Sequence, residues 1–174
     1  MATIKIEEDC LSPDMQIVLR YNGPNPYGAY NKIKKLLKDI WEVESIAFWE
    51  REFRWDATDG GFLIKCYISR SIDKYTKVLI EVFLQGSQPS DPNQSSNLEI
   101  RIGGYLTSSF GGSSIIDDAR NPFFRTLFWI YYKYFYQKQR NYYIKEWCYN
   151  RIQKLKTEIQ KYLNILPPQE KVIS

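Results

Sequence analysis

Histidine is absent from this 174-residue chain, so any acid–base chemistry would have to use Asp, Glu, Lys or Tyr. Without histidine there is no Ser-His-Asp or Cys-His nucleophilic site, and the commonest metal ligand is missing. Asp117 and Asp118 have the chemistry to ligate a hard cation, but acidic residues just before a helix more often mark its start. Residues 111–114 lack the lysine and the strand-to-helix spacing of a phosphate-binding loop. We therefore predict no catalytic residue, no metal and no cofactor, and the sequence favours a non-enzymatic protein.

The three cysteines, Cys10, Cys66 and Cys148, are far apart and form no C-x-x-C pair. This spacing is typical of reduced thiols in an intracellular protein, and not of a disulfide framework or a zinc site. The chain opens without the pattern of a secretion signal, and no run approaches the ~18 apolar residues of a membrane span. We therefore expect a soluble, cytoplasmic protein.

Arg51 is the residue that most directly suggests a binding site. The alternation in 45–56 places it on one strand face with Trp49, Phe53 and Trp55, the face expected to be buried. A buried guanidinium needs a carboxylate, carbonyl oxygens or the anion of a ligand. Arg51 therefore either pairs with an acidic side chain or lies at the open end of the sheet, or it binds the carboxylate or phosphate of a molecule held between those rings.

The chain ends in one long predicted helix, from Pro122 to Leu163. Asn121 can cap it, Pro122 suits its first position, and no further Gly or Pro follows until residue 167. Its first third carries rings on almost every side, so one sheet cannot cover them all. Some rings must face a cavity, a partner subunit or lipid headgroups. The helix residues that we assign to the ligand site of Arg51 are Phe128, Tyr131 and Tyr134.

The second half of this helix is basic and amphipathic. Residues 133–161 hold eight basic residues and two acidic ones, a pattern that attracts nucleic acid or anionic lipid but more commonly marks a solvated face. An apolar stripe at helical spacing packs on the sheet or on a second copy: Cys148, Ile152, Leu155, Ile159 and Tyr162. At roughly 60 Å the helix is longer than its sheet needs, which a bend near 137–141 or a homodimer would resolve.

The rest of the chain predicts an α+β fold in a single domain over 1–174. The predicted strands are 3–7, 15–22, 45–56, 62–68, 75–85 and 97–107, with a shorter helix at 26–42 after the first two strands. We expect a mostly antiparallel sheet that grips the long C-terminal helix. Gly104, inside the last strand, indicates a bend or a close neighbour.

This element order, with Trp- and Tyr-rich strands before a long final helix, resembles the helix-grip plan of the START and Bet v 1-like superfamily. The resemblance covers nearly the whole chain and is one of element order, without a sequence motif. It implies non-enzymatic binding of a hydrophobic or amphiphilic small molecule, or a lipid, between sheet and helix. The helix is longer than that plan requires.

Two other functions stay open. Four antiparallel strands followed by a helix also resemble the single-stranded nucleic-acid binders of the Whirly and Pur families. Outward rings would then stack on bases while cations follow phosphates. The residues in question are Tyr67, Tyr75, Phe83 and Tyr105, with Lys65, Lys77 and Arg101 between them. The third function is a homodimeric scaffold joined through the long helix.

Overall fold

The computed structural model describes residues 4–91, 93–110 and 122–165. The acidic and glycine-rich residues considered above at 111–114 and 117–118 lie outside these ranges. The strands are β1 (Ile4–Asp9), β2 (Ile17–Gly23), β3 (Phe48–Trp55), β4 (Gly61–Ser71), β5 (Thr76–Ser87) and β6 (Ser96–Phe110). Helix α1 spans Gly28–Trp41, and a continuous C-terminal helix runs over 122–163. The predicted α+β fold and element order are confirmed.

All six strands form one antiparallel sheet. From one edge the order is β3, β4, β5 and β6, and the far edge of β6 pairs with two strands in succession. Its first half pairs with β2, from Ile17 opposite Ile102 to Gly23 opposite Ser96. Its second half pairs with β1, from Asp9 opposite Tyr105 to Ile4 opposite Phe110. β6 extends over 15 residues, roughly 50 Å, which is long enough to support most of the C-terminal helix.

Both helices pack on one face of this sheet, here called the inner face. The apolar residues of α1 that recur at helical spacing are buried: Ala29, Ile33, Leu36, Leu37 and Ile40. Gly104 in β6 has the close neighbour that its position predicted, because a Cβ there would lie 2.7 Å from Ile152 Cδ1 and 2.9 Å from Ile80 Cδ1. Helix and sheet are therefore in direct contact at the centre of the inner face.

The C-terminal helix contains two π-helical stretches, and these keep one side of it on the sheet. Its segments are α2 (Pro122–Tyr131), a π-helical turn (Tyr132–Tyr136), α3 (Gln137–Tyr142), a second π-helical turn (Tyr143–Cys148) and α4 (Tyr149–Leu163). The buried or half-buried positions recur every four residues: Phe128, Tyr132, Tyr136, Arg140, Ile144 and Cys148. In a regular α-helix each step of four overshoots a full turn by about 40°, so five steps would rotate Cys148 roughly 200° away from Phe128. Each π-helical turn takes up about one extra residue, which reduces this rotation by about 100°. The two turns together cancel it, so Phe128 and Cys148 both face the sheet.

The helix consequently packs in two clusters. Cys148, Ile152, Leu155, Ile159 and Leu163 join the main core with α1 and the central strands. Phe128 and Tyr136 form a smaller cluster with Phe110, against which Tyr75 also packs. The predicted stripe is confirmed up to Ile159, but its last member is Leu163, because Tyr162 is 48% exposed.

One buried cation lies between the two clusters. Arg140 is fully buried, and its Nε donates a 2.5 Å hydrogen bond to Glu8 Oε2 on β1. The two terminal nitrogens of Arg140 have no hydrogen-bond partner among the described residues. The guanidinium lies 6.0 Å from the centre of the Tyr132 ring, which compensates part of its lost hydration.

The prediction of three reduced cysteines is wrong. Cys10, just after β1, forms a disulfide with Cys148 on the inner side of the C-terminal helix, with 5.9 Å between their Cα atoms. Their sequence separation is 138 residues, so only the tertiary fold brings them together. Cys66 is free, as expected, and it is buried, which raises the pKa of its thiol to about 12.

Candidate binding groove on the open face of the sheet

A β-bulge in β3 decides where its aromatic and charged side chains lie. Glu50 pairs with Cys66 and Glu52 pairs with Lys65, so Arg51 is an extra residue without an opposite partner. The step from Glu50 to Glu52 on β3 thus spans a single step on β4. Every residue of β3 after Arg51 therefore points to the face opposite to the one that unbroken alternation predicts. The predicted shared face of Trp49, Arg51, Phe53 and Trp55 is therefore wrong.

The bulge divides these residues between the two faces. Phe53 and Trp55 lie on the inner face beside α1, with ring centres 6.5 Å from Tyr30 and 5.4 Å from Tyr27 respectively. Trp49 pairs with Tyr67, which faces away from the helices, and it is 55% exposed. Arg51 is exposed and not buried. It lines a groove on the side opposite the helices, here called the open face.

The groove lies over the middle of the open face and has a volume of about 660 Å³. Its side chains come from four adjacent strands, β3 to β6, and from the segment before β2. They are Gln16, Arg51, Glu52, Lys65, Tyr67, Glu81, Phe83 and Arg101. A volume of this size falls within the usual range for small-molecule sites.

One cross-strand row forms an aromatic centre for the groove. Lys65, Phe83 and Arg101 are directly opposite one another on β4, β5 and β6. Lys65 Nζ lies 5.6 Å and Arg101 Cζ 5.3 Å from the centre of the Phe83 ring. Tyr67 is diagonal to Phe83 and supplies a second ring. The arrangement offers planar surfaces with cations beside them.

The cations of the groove differ in how they are paired. Lys65 Nζ lies 2.9 Å from Glu52 Oε2, and Arg101 Nη2 lies 2.6 Å from Glu99 Oε1. For Arg51, no carboxylate of the described residues lies within ion-pair distance. Its positive charge is therefore the one in the groove that lacks an internal counter-ion among the described residues.

The carboxylates around β3 are held in their ionised form. A hydrogen bond from Lys65 lowers the pKa of Glu52, and Arg54 contributes in the same direction. Hydrogen bonds from Lys34 and Tyr30 lower the pKa of Glu50, which the bulge places on the inner face beside α1. Folding stability from a lowered carboxyl pKa is complete above the pKa of the unfolded chain and is lost as the pH falls through the folded pKa.

The two halves of the ligand site predicted from the sequence are not brought together. Trp55 belongs to the cross-strand row that reaches Leu98 on β6. Phe128 packs edge-on against Phe110, which lies twelve residues beyond Leu98 on β6. Twelve strand residues span roughly 40 Å, so Trp55 and Phe128 lie near opposite ends of the sheet. Phe128 is buried, whereas Tyr131 and Tyr134 are exposed on the far side of the helix.

The rings considered for nucleic-acid stacking are mostly on the open face. Tyr67, Phe83 and Tyr105 are half-buried there, and Lys77 is exposed on the same face. The prediction that Tyr75 points outward with them is wrong, because its ring packs on Phe110 with 5.1 Å between the ring centres. Residue 75 precedes β5, so the alternation of that strand does not extend to it.

Sequence reasoning missed three members of the groove, Gln16, Glu52 and Glu81. Glu81 lies two residues from Phe83 on β5, so its outward position was predictable. Nothing in the sequence indicates the bulge in β3 that brings Arg51 to the same groove. Gln16 lies before β2, and only the pairing of β2 with β6 brings it near Arg101. Within the described residues, no group of three or more Cys, Asp or Glu side chains is arranged to hold a metal ion.

No protein-family model matches this chain, and no match is found among curated proteins. Among solved structures it is similar to an uncharacterized protein from Rhizobium leguminosarum, with 9% sequence identity and a TM-score of 0.24, over 71% of this chain and 91% of that one. In the described part of the chain, no helix is both long enough and apolar enough to cross a bilayer.

Proposed function

We propose that the groove on the open face binds a small molecule that combines a planar ring with one anionic group. Arg51 binds the anion, and the ring packs on Tyr67 and Phe83. The observation that carries the proposal is the β-bulge, which turns Arg51 into the groove, where no carboxylate of the described residues pairs with it. Bulges commonly re-aim a side chain next to a functional site.

The electrostatics of the groove favour a compact anion over a long one. Glu52 and Glu81 line the groove together with Arg51. A single phosphate or carboxylate at Arg51 carries little charge past these carboxylates, whereas a phosphate chain that crosses the sheet passes beside both of them and is repelled more strongly. This repulsion weighs against single-stranded nucleic acid, which we keep as the alternative ligand of the open face. The experiment below distinguishes a small molecule from nucleic acid.

The helix-grip resemblance suggests a ligand on the opposite side of the sheet, between sheet and helix. The close approach of Ile152 to Gly104 weighs against that position at the centre of the inner face. We therefore retain small-molecule binding as the function and move its site to the open face.

Flavin mononucleotide and riboflavin are a matched pair of probes for this proposal, because they share a planar ring system and differ in one phosphate. The intrinsic fluorescence of the flavin reports binding of either compound in a titration with the full chain. We expect flavin mononucleotide to bind more tightly by about 10- to 100-fold, the range for one charge-assisted hydrogen-bonded contact. Equal affinities for the two flavins contradict an anion site.

Variants then test the position of the site. Arg51→Gln should reduce the affinity for flavin mononucleotide to that for riboflavin. Lys77→Gln is the matched control, because it removes one positive charge from the same face at an exposed position outside the groove. An unchanged affinity in Arg51→Gln refutes the assignment of Arg51. Tighter binding of single-stranded oligothymidylate, falling steeply with salt, would replace the proposal by the nucleic-acid alternative.

A further inference from the structure

The C-terminal helix presents a second surface that the groove does not involve. Its side away from the sheet is apolar and aromatic over residues 127–135. We define this aromatic face by its five members, which are between 41% and 70% exposed: Leu127, Ile130, Tyr131, Tyr134 and Phe135. Their spacing places them on one side of the helix.

Packing holds this face outward. On the opposite side of the same segment, Phe128 and Tyr136 are buried against Phe110 of the sheet. The Tyr136 hydroxyl also donates to Asp73 Oδ2 at 3.2 Å. Rotating the helix to hide its exposed rings would therefore break the smaller cluster. On the aromatic face, Tyr131 and Phe135 stack on each other with 5.9 Å between their ring centres.

The charges along this segment are all of one sign. Residues 122–145 contain no Asp or Glu. Four cations of the segment are exposed: Arg125, Lys133, Lys138 and Lys145. An exposed apolar patch whose own helix segment, 122–145, carries only cations fits a surface that is apolar inside and negative at its rim.

We propose that the aromatic face binds the surface of an anionic lipid bilayer. Leu127, Ile130 and Phe135 enter the boundary between headgroups and acyl chains, and the tyrosines lie at headgroup depth with their hydroxyls toward water. Lys133 and Lys138 contact the anionic headgroups. A second copy of this chain is the competing occupant, but like charges around two facing patches would oppose such a dimer.

Co-sedimentation with vesicles tests this inference. The full chain should sediment with phosphatidylcholine vesicles that contain about one-third phosphatidylserine and bind pure phosphatidylcholine vesicles at least about tenfold more weakly, and high salt should weaken the binding. Tyr134→Ser/Phe135→Ser should reduce binding to the mixed vesicles by about tenfold or more. Tyr149→Ser/Tyr162→Ser is the matched control, since it removes two exposed rings from the same helix outside the aromatic face.

A second variant removes two positive charges and leaves the aromatic rings in place, so it tests the electrostatic part of the proposal separately. Lys133→Gln/Lys138→Gln should lose most of the preference for anionic over neutral vesicles while it retains the wild-type melting temperature. Equal binding of wild-type protein to both vesicle types, or no binding at all, overturns the proposal. A concentration-dependent dimer that the ring variant abolishes, with no vesicle binding, would assign the aromatic face to a second copy instead.

Discussion

The disulfide between Cys10 and Cys148 should account for a large part of the stability of the fold. It closes a loop of 138 residues between the end of β1 and the C-terminal helix. In the chain-entropy model a loop of this length contributes about 5 kcal/mol, the upper end of the range measured for disulfides. The total unfolding free energy of a domain is about 5 to 15 kcal/mol, so loss of this bond should be readily measured.

The test compares oxidised and reduced protein in urea unfolding followed by circular dichroism. Reductant should lower the unfolding free energy of the wild-type chain by about 2–5 kcal/mol. Cys10→Ser/Cys148→Ser should start at the lower value and not respond to reductant. Cys66→Ser is the control, because Cys66 is the free cysteine and its replacement leaves the response to reductant intact.

Two results would refute this reasoning. The first is three titratable thiols in the unreduced, denatured protein, which would mean that the bond does not form. The second is an unchanged unfolding midpoint after complete reduction, which would mean that the helix is held on the sheet by packing alone.

Three further substitutions test the packing and charges around the sheet. Gly104→Val should destabilise the fold by about 1–3 kcal/mol, because its Cβ would meet neighbouring side chains below 3.0 Å; Gly103→Ala, whose Cβ has 3.7 Å of clearance, should leave the melting temperature nearly unchanged. At pH 7 Glu50→Gln should melt at a lower temperature than the wild-type chain, because the pKa of Glu50 is lowered in the fold. The two melting temperatures should converge as the pH falls below the usual glutamate range; a gap between them that grows in acid contradicts this. Glu8→Ala should cost more than Glu8→Ala/Arg140→Met, because the single change leaves a buried guanidinium without its carboxylate; the reverse order in thermal melts would show that the guanidinium does not need Glu8.

The sequence predicts the elements of this fold well because each has a strong local signal. The stripe of α1 repeats at helical spacing, and β4, β5 and β6 alternate for most of their lengths. The long helix begins at Pro122, as its capping pattern indicates. Its aromatic side is also foreseeable, since a helix ringed with aromatics cannot be covered by one sheet.

What the sequence does not predict comes from single extra residues and from long-range contacts. One extra residue at Arg51 changes the face of every later side chain in β3, and no local pattern distinguishes a bulged strand from a regular one. Two π-helical turns have the same effect in the C-terminal helix, where a constant helical period places Phe128 and Cys148 on opposite sides. The bond from Cys10 to Cys148 depends on where that helix crosses the sheet.

We propose that the open face of the sheet, and not the inner face, holds the ligand. The most direct test is a ¹H–¹⁵N NMR titration of the full chain with flavin mononucleotide. We predict shifts in the amides of 50–52, 65–67 and 81–83, with those of α1 and α4 unchanged. Shifts concentrated in α4 and α1 would place the ligand between sheet and helix, and an unchanged spectrum at saturating probe would contradict a binding groove at Arg51.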